Sequence, residues 1–250
     1  LGNGKYVGFH TEMAERIVED LGKQAGKALK INYQVITSQN RIPLLQNGTI
    51  DFECGSTTNN ATRQKDADFA VTTYVEEVRV AVRADSNINS VKDLAGKTIA
   101  TTTGTTSVQH LRKHERAAGL QFKEVMGKDH AESFLLLETG KADAFVMDAS
   151  ILAANIARSR TPQNFKIVGE VLSVEPIACM LPKGDAKFKE AVDNSIKRQV
   201  ADGSLAQLYD KWFMQPIPPN NVTLNLPLSA STKAAWENPN SKPMEEYAQK

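Results

Sequence analysis

Three polar clusters are where this sequence could do chemistry. The first is Thr37-Ser38-Gln39-Asn40-Arg41. The second is Gly55-Ser56-Thr57-Thr58-Asn59-Asn60-Ala61-Thr62-Arg63. The third is Thr101-Thr102-Thr103-Gly104-Thr105-Thr106-Ser107. Each follows a strand-like run and precedes a helix-like one, the position at which open α/β sheets hold ligands. Hydroxyls and free backbone N–H groups at a helix start form a small anion site. Arg41 or Arg63 would add a planar fork that grips a carboxylate with two parallel bonds. Any single hydroxyl here also reads as a helix cap, and either arginine alone reads as a solvated charge. Three clusters at equivalent junctions point together to a small anionic ligand.

Other titratable groups leave their roles open. Asp129-His130 precedes a helix-like run. Asp148 ends a buried strand, where its carboxylate either caps the next helix through Ser150 or accepts from a ligand ammonium. His110 and His114 are one helical turn apart. With Arg112, Lys113 and Arg116 around them they read as a solvated basic face rather than a metal pair. The motifs of a nucleophile elbow, a Gly-rich phosphate loop and an HExxH zinc helix are missing from the sequence. The expectation is therefore a binding protein, with no catalytic residue, cofactor or metal.

The elements that must hold these clusters alternate between strand and helix. Helical spacing of Met13, Ile17 and Leu21 predicts a helix from Phe9 to Leu21. Strands are expected at Ile31–Ile36, Ile50–Cys54 and Val78–Val82, with a short helix between the first two, from Pro43 to Asn47-Gly48. A complete α/β unit follows at about residues 84–178. It holds strands near Lys97–Thr101, Phe122–Met126 and Ala144–Met147, and helices at Thr106–Ala118, Ala131–Thr139 and Ser150–Ser159. Further strands at Val168–Val171 and Ile177–Leu181 and helices at Lys187–Asp202 and Ser204–Phe213 complete the pattern, and the tail from Pro216 is rich in proline and asparagine. This alternation predicts parallel-rich α/β sheets covered by helices. The flanking pieces are each incomplete, so the economical arrangement is two lobes, the second inserted into the first. Lobe one would comprise residues 1–82 and 180–250, and lobe two 83–179. A two-strand hinge would cross near Val80–Arg83 and Ala178–Leu181, with the ligand in the cleft between lobes.

Bulk properties agree with this reading. The 250 residues, 41% hydrophobic and 24% charged, suffice for two cores. A net charge of +1 offers no general basic surface for nucleic acid. No apolar run approaches a membrane span. The chain opens with Leu1-Gly2-Asn3-Gly4, so an exported protein would have lost its leader. Cys54 and Cys179 are either two buried thiols or one long-range disulfide suited to an oxidising compartment.

The sequence closely resembles the periplasmic amino-acid-binding proteins of ABC transporters (bacterial solute-binding protein family 3), and within them the glutamate/aspartate-binding members. The resemblance spans nearly the whole chain. Its most specific blocks are residues 36–48, with Ser38-Gln39-Asn40-Arg41, and residues 51–60, with Cys54-Gly55-Ser56-Thr57-Thr58-Asn59-Asn60. Gly104-Thr105-Thr106-Ser107, Lys128-Asp129-His130 and Asp210-Lys211-Trp212-Phe213 add to it. It implies a type II periplasmic binding fold, and a monomer that captures glutamate or aspartate and delivers it to a membrane permease. It also implies site roles. Arg63, Thr58 and Thr106 would hold the ligand α-carboxylate, Ser56 and Asp148 the α-ammonium, and Arg41, Ser38 and His130 the side-chain carboxylate. The family further carries a strand ahead of the point matching Leu1, central in the first lobe's sheet and bearing a ligand-binding arginine; this chain has neither. Other readings are a different amino acid such as glutamine, or a dicarboxylate, as ligand. A receptor's sensor module would be followed by a membrane segment, whereas residues 220–250 read as a finished end. A dehydratase-type enzyme would need a general base, for which Asp148 and His130 are the candidates.

Overall fold

The computed structural model describes residues 1–247; the last three residues of the proline- and asparagine-rich tail, 248–250, lie outside the described residues. In chain order the elements begin with α1 (Phe9–Ala25), α2 (Arg41–Gln46), β1 (Ala67–Phe69) and β2 (Tyr74–Arg83). Next come β3 (Thr98–Thr102), α3 (Thr106–Ala118), β4 (Lys123–Gly127) and α4 (His130–Glu138). β5 (Ala144–Asp148), α5 (Ala149–Arg158), β6 (Phe165–Ile177) and β7 (Met180–Pro182) follow. α6 (Ala186–Ala201), α7 (Ser204–Tyr209) and α8 (Ala230–Glu237) close the chain.

The inserted lobe is a five-stranded sheet in the order β4-β3-β5-β2-β6. Its side chains alternate between two cores, as a period of two demands. Val78, Val80, Val82, Ile99, Ala144 and Val146 pack with Leu111 of α3 on one face. Ala81, Ala100, Phe145 and Met147 pack with Phe134 and Leu137 of α4 and Leu152 of α5 on the other. The sheet is mixed rather than parallel-rich: β3 runs parallel to β4 and β5, whereas β2 runs antiparallel to β5 and β6. Only β2 runs against the other four strands; α5 links β5 to β6, which run the same way with β2 between them.

The first lobe is built mainly on helices. Phe9, Met13 and Ile17 of α1 meet Val192 and Ile196 of α6, Leu205 and Tyr209 of α7, and Trp236 of α8. Tyr209 and Phe213 stack with ring centroids 4.4 Å apart, and Tyr74, at the start of β2, stacks on Phe213 at 5.5 Å. Helix α8 arises inside the proline- and asparagine-rich tail, where no helix was expected. Ser229 caps it by accepting from Thr232 N, and Trp236 donates its indole N–H to Thr73 O at 2.8 Å.

Two expected strands of this lobe are not formed. Residues 28–37 carry no regular structure, and Tyr33 and Val35 stand exposed. A strand needs a neighbour for its N–H and C=O groups, and among the described residues no backbone–backbone hydrogen bond reaches Ile31–Ile36. Ile50–Cys54 is reduced to a bridge between Glu53 and Met180, while β1 and β7 make a two-stranded antiparallel sheet.

The crossing between lobes also differs from expectation. Val78, Val80 and Val82 belong to the second lobe's core, whereas Cys179 and Leu181 belong to the first lobe's. The two crossing strands pair instead at Tyr74–Ile177, Val75–Pro176 and Glu76–Glu175. Just below, Cys54 and Cys179 form a disulfide, with sulfurs 2.08 Å apart.

Candidate functional site

The eight residues expected to hold a ligand border one cavity. Ser38, Arg41, Ser56, Thr58 and Arg63 come from the first lobe, and Thr106, His130 and Asp148 from the second; Thr105, Met147 and Ile151 complete the wall. The cavity volume is about 10 Å³, room for about one water. The two lobes thus stand close together around the cavity. The contact between them is backbone-close. A Cβ on Gly104 would lie 2.7 Å from Gln39 Cα, and Gly104 has a φ of +84°. Only glycine meets both conditions without strain.

Arg63 bridges the cleft, donating from Nη1 to Thr58 O at 2.9 Å and from Nη2 to Gly104 O of the other lobe at 3.2 Å. Burial, then the neighbouring Arg41, lower its pKa to about 10, against the attraction of Glu175, Glu53 and Asp148. It stays cationic at neutral pH. Arg41 opens α2 and is 4% exposed, yet its Nε has no hydrogen-bond partner among the described residues. Burial lowers its pKa, and Glu53 and Asp148 oppose that. A buried guanidinium nitrogen left unpaired is costly and marks a place where an acceptor belongs.

Of the two roles that spacing left open for Asp148, which precedes α5, the capping bond is not made. Glu76 takes that place: its carboxylate accepts from Ser150 N at 3.3 Å and from Ser150 Oγ. Asp148 is left as a buried carboxylate on the cavity wall. Burial raises its pKa well above the usual range, Glu76 and Glu175 add to the rise, and Arg41 and Arg63 oppose it. A cation placed beside Asp148 would relieve this.

Thr58 and Thr106 are engaged differently from expectation. Both hydroxyls donate to Oε2 of Glu175, at 3.1 and 3.0 Å. A hydroxyl has one proton and two lone pairs. With the proton turned to Glu175, each threonine offers lone pairs to the cavity, which suits an ammonium better than a carboxylate. His110 Nε2 lies 2.7 Å from Glu175 Oε1. His110 is therefore a half-buried partner of a hinge carboxylate, not part of a solvated basic face, and no metal-holding cluster exists among the described residues.

Glu175, Glu76 and Glu53 were invisible as site residues in the sequence. Glu53 sits in an expected strand, Glu76 and Glu175 lie just outside the strands expected at Val78–Val82 and Ile177–Leu181, and only the pairing of β2 with β6 places Glu76 opposite Glu175. Their one local signal is a carboxylate inside an apolar stretch. Glu53 is buried, accepts from Thr57 Oγ1 at 2.8 Å, and has its pKa raised by burial against the pull of Arg41.

A two-lobed cavity lined by opposed arginine and aspartate side chains is built to bind, and comparison with known proteins agrees. The family model for bacterial extracellular solute-binding proteins, family 3, matches residues 1–215. The chain belongs to this family. The solute-binding protein is 41% identical over 244 residues to the L-glutamate/L-aspartate-binding protein of Pseudomonas aeruginosa, a match covering 97% of this chain and 81% of that relative. It is 42% identical over 239 residues to the glutamate/aspartate import solute-binding protein of Escherichia coli, covering 95% of this chain and 79% of the relative. Among solved structures, an ancestral arginine-binding protein bound to glutamine superposes with a TM-score of 0.75 at 31% identity, over 84% of this chain and 89% of that one. The fold is the two-lobed type II periplasmic binding fold, and the solute-binding protein is extracytoplasmic. The disulfide fits an oxidising compartment.

Proposed function

We propose that this solute-binding protein captures L-glutamate or L-aspartate in the interlobe cleft and, as a periplasmic monomer, presents the closed form to the membrane permease of an ABC importer. One observation carries the reading. Arg41, whose buried Nε has no hydrogen-bond partner among the described residues, and Asp148, which makes no side-chain capping bond, border the same cavity as Arg63. These groups match the charges of an acidic amino acid: a carboxylate at each end and an ammonium beside one of them. The names of relatives more than 40% identical over most of the chain support the same ligands.

Arg63 would take the α-carboxylate, with the start of α3 at Thr106 beside it. Asp148 and Ser56 would take the ammonium, joined by the lone pairs of Thr58. Arg41, Ser38 and His130 would surround the distal carboxylate. Each ligand charge then meets a fixed partner, without which its burial would be prohibitive. Because the partners come from both lobes, the ligand favours the closed form by differential contact, which is the property a permease can read.

Calorimetric titration with glutamate, aspartate, glutamine and succinate tests the proposal. The expected result is binding at micromolar or tighter concentration, about −8 kcal/mol, for an acidic amino acid, with succinate weaker because it brings no ammonium to Asp148. Equal binding of succinate and aspartate would refute the assigned role of Asp148. Absence of binding by either acidic amino acid would refute the function.

A further inference from the structure

The hydroxyl network behind His130 bears on which of its ring nitrogens carries a proton. His130 Nδ1 lies 3.0 Å from Thr102 Oγ1, and Thr102 Oγ1 lies 2.8 Å from Ser133 Oγ. Ser133 Oγ in turn lies 3.0 Å from Thr101 O and 3.1 Å from Asp129 O. Both carbonyls can only accept, and in the arrangement inferred for this network Ser133 directs its one proton to one of them. Toward Thr102 it is then the acceptor, and Thr102 donates to it. In that arrangement Thr102 has no second proton, so it accepts from His130, and Nδ1 carries the hydrogen. In a neutral imidazole the other nitrogen, Nε2, is then a bare lone pair. Thr102 and Ser133 are fully buried, so water offers no alternative partner. The local backbone is shaped around this relay: a Cβ on Gly127, at the end of β4, would lie 2.4 Å from Ser133 Oγ.

With Nδ1 turned inward, Nε2 is the nitrogen left for the cavity that His130 lines. The charged groups about it are Arg41 from α2, Arg63 across the cavity, Asp129 at the start of α4 and Asp148 at the end of β5; β3 and β4 bring only the uncharged Thr102 and Gly127. Burial, then Arg41, lower the His130 pKa to about 4, with Asp129 opposing. Before ligand enters, the ring is neutral near pH 7.

A lone pair facing a carboxylate is repulsive, whereas a lone pair facing an amide NH₂ group is a hydrogen bond. We propose that His130 distinguishes acid from amide ligands by protonation: Nε2 takes up one proton from solvent when a distal carboxylate docks, and none when a distal amide docks. The only bond formed is N–H, the ring becoming imidazolium. This inference rests on the reading that an acidic amino acid binds here, and it adds a consequence. The preference for glutamate over glutamine should be set by pH and should increase as the solution becomes more acidic. Asp148 and the ligand ammonium are common to both ligands, so their own proton exchange cancels in the comparison.

The test is titration calorimetry of the whole protein with glutamate and with glutamine at pH 6.5, in buffers of different ionisation enthalpy. The expected result is about one more proton taken up with glutamate than with glutamine, and a glutamate preference that grows roughly tenfold per unit fall in pH between 7 and 5.5. ¹⁵N-histidine NMR reads the site directly and does not depend on glutamine affinity. Nε2 should be unprotonated in the free protein at pH 7 and protonated when glutamate is bound. Ser133→Ala frees the Thr102 proton to point at Nδ1, which moves the ring hydrogen to Nε2. Proton uptake with glutamate should then be lost. Thr102→Val, which removes the acceptor at Nδ1, should weaken the uptake in the same direction. Glutamate binding with Nε2 unprotonated, or with equal proton counts for the two ligands, overturns the inference alone. No glutamate binding overturns the ligand reading and the inference with it.

Discussion

Replacing Arg63 by alanine is the most direct perturbation of the proposed cleft. The guanidinium uses one donor on Thr58 O in its own lobe and one on Gly104 O in the other. Five N–H groups are available in all, so the remaining donors suffice for a two-bond grip on a ligand carboxylate. Removing the side chain leaves that carboxylate buried without its cation and deletes a tie between lobes. Breaking a buried ion pair from one side costs about 3–5 kcal/mol. At 1.4 kcal/mol per decade, that is a loss of roughly 10²- to 10³·⁵-fold in affinity. Isothermal titration with L-glutamate measures it, and thermal melting of the ligand-free variant separates loss of binding from loss of fold. Arg63→Lys keeps the charge but not the planar fork, and should fall between wild type and Arg63→Ala. An Arg63→Ala protein that is folded and binds glutamate within threefold of wild type would falsify the role given to this residue.

Further outcomes follow from neighbouring groups. Arg41→Gln should weaken glutamate by roughly 10- to 100-fold, the worth of a charged hydrogen bond, and weaken glutamine much less; equal losses would remove Arg41 from the distal end of the ligand. Burial lifts the Glu76 pKa from 4.5 to about 7, Glu175 adding to the rise against hydrogen bonds from Ser150 and the Glu77 N–H. Its contribution to stability is therefore full below pH 4.5 and lost as pH rises through 7. Glu76→Gln should gain stability relative to wild type between pH 5 and pH 8, as read from urea midpoints, and a difference that does not change with pH would contradict this. Cys54→Ala/Cys179→Ala opens a loop with a separation of 125 residues. It should cost about 2–5 kcal/mol of unfolding free energy, the upper end being the chain-entropy value for so long a loop. A loss under about 1 kcal/mol would mean that the unfolded chain is held compact without the bond.

The second lobe was legible in the sequence because its signals are local. The helix at Thr106–Ala118 matches α3 to the residue, and the strand at Ala144–Met147 falls inside β5. The first lobe was less so because its sheet depends on distant partners. Ile31–Ile36 alternates as a strand does, but alternation says nothing about whether a neighbour is present to bond it. Val78–Val82 reads as an apolar strand in either lobe, and only its packing with Ile99 and Val146 assigns it to the second. All eight expected site residues meet at one cavity, since the Ser-Gln-Asn-Arg and Gly-Ser-Thr-Thr blocks lie at turn positions where side chains converge. What could not be read was direction. The protons of Thr58 and Thr106 turn toward Glu175, a residue more than a hundred positions from Thr58 along the chain.

The Cys54–Cys179 bond also constrains the order of events in folding. Every residue of the inserted lobe lies between these two cysteines. The covalent ring thus encloses a unit whose two hydrophobic cores are built entirely from residues within the ring. A chain emerging from its amino terminus exposes Cys54 long before its partner, and the intervening lobe can collapse as a contiguous segment in that interval. The first lobe cannot finish until β7, α6 and α7 arrive, because α1 packs against helices from beyond residue 185. Oxidation is then a late, sealing event that joins the two ends of an already folded insert. An oxidant acting too early would find Cys54 alone, and the first disulfide available to it would be with another molecule.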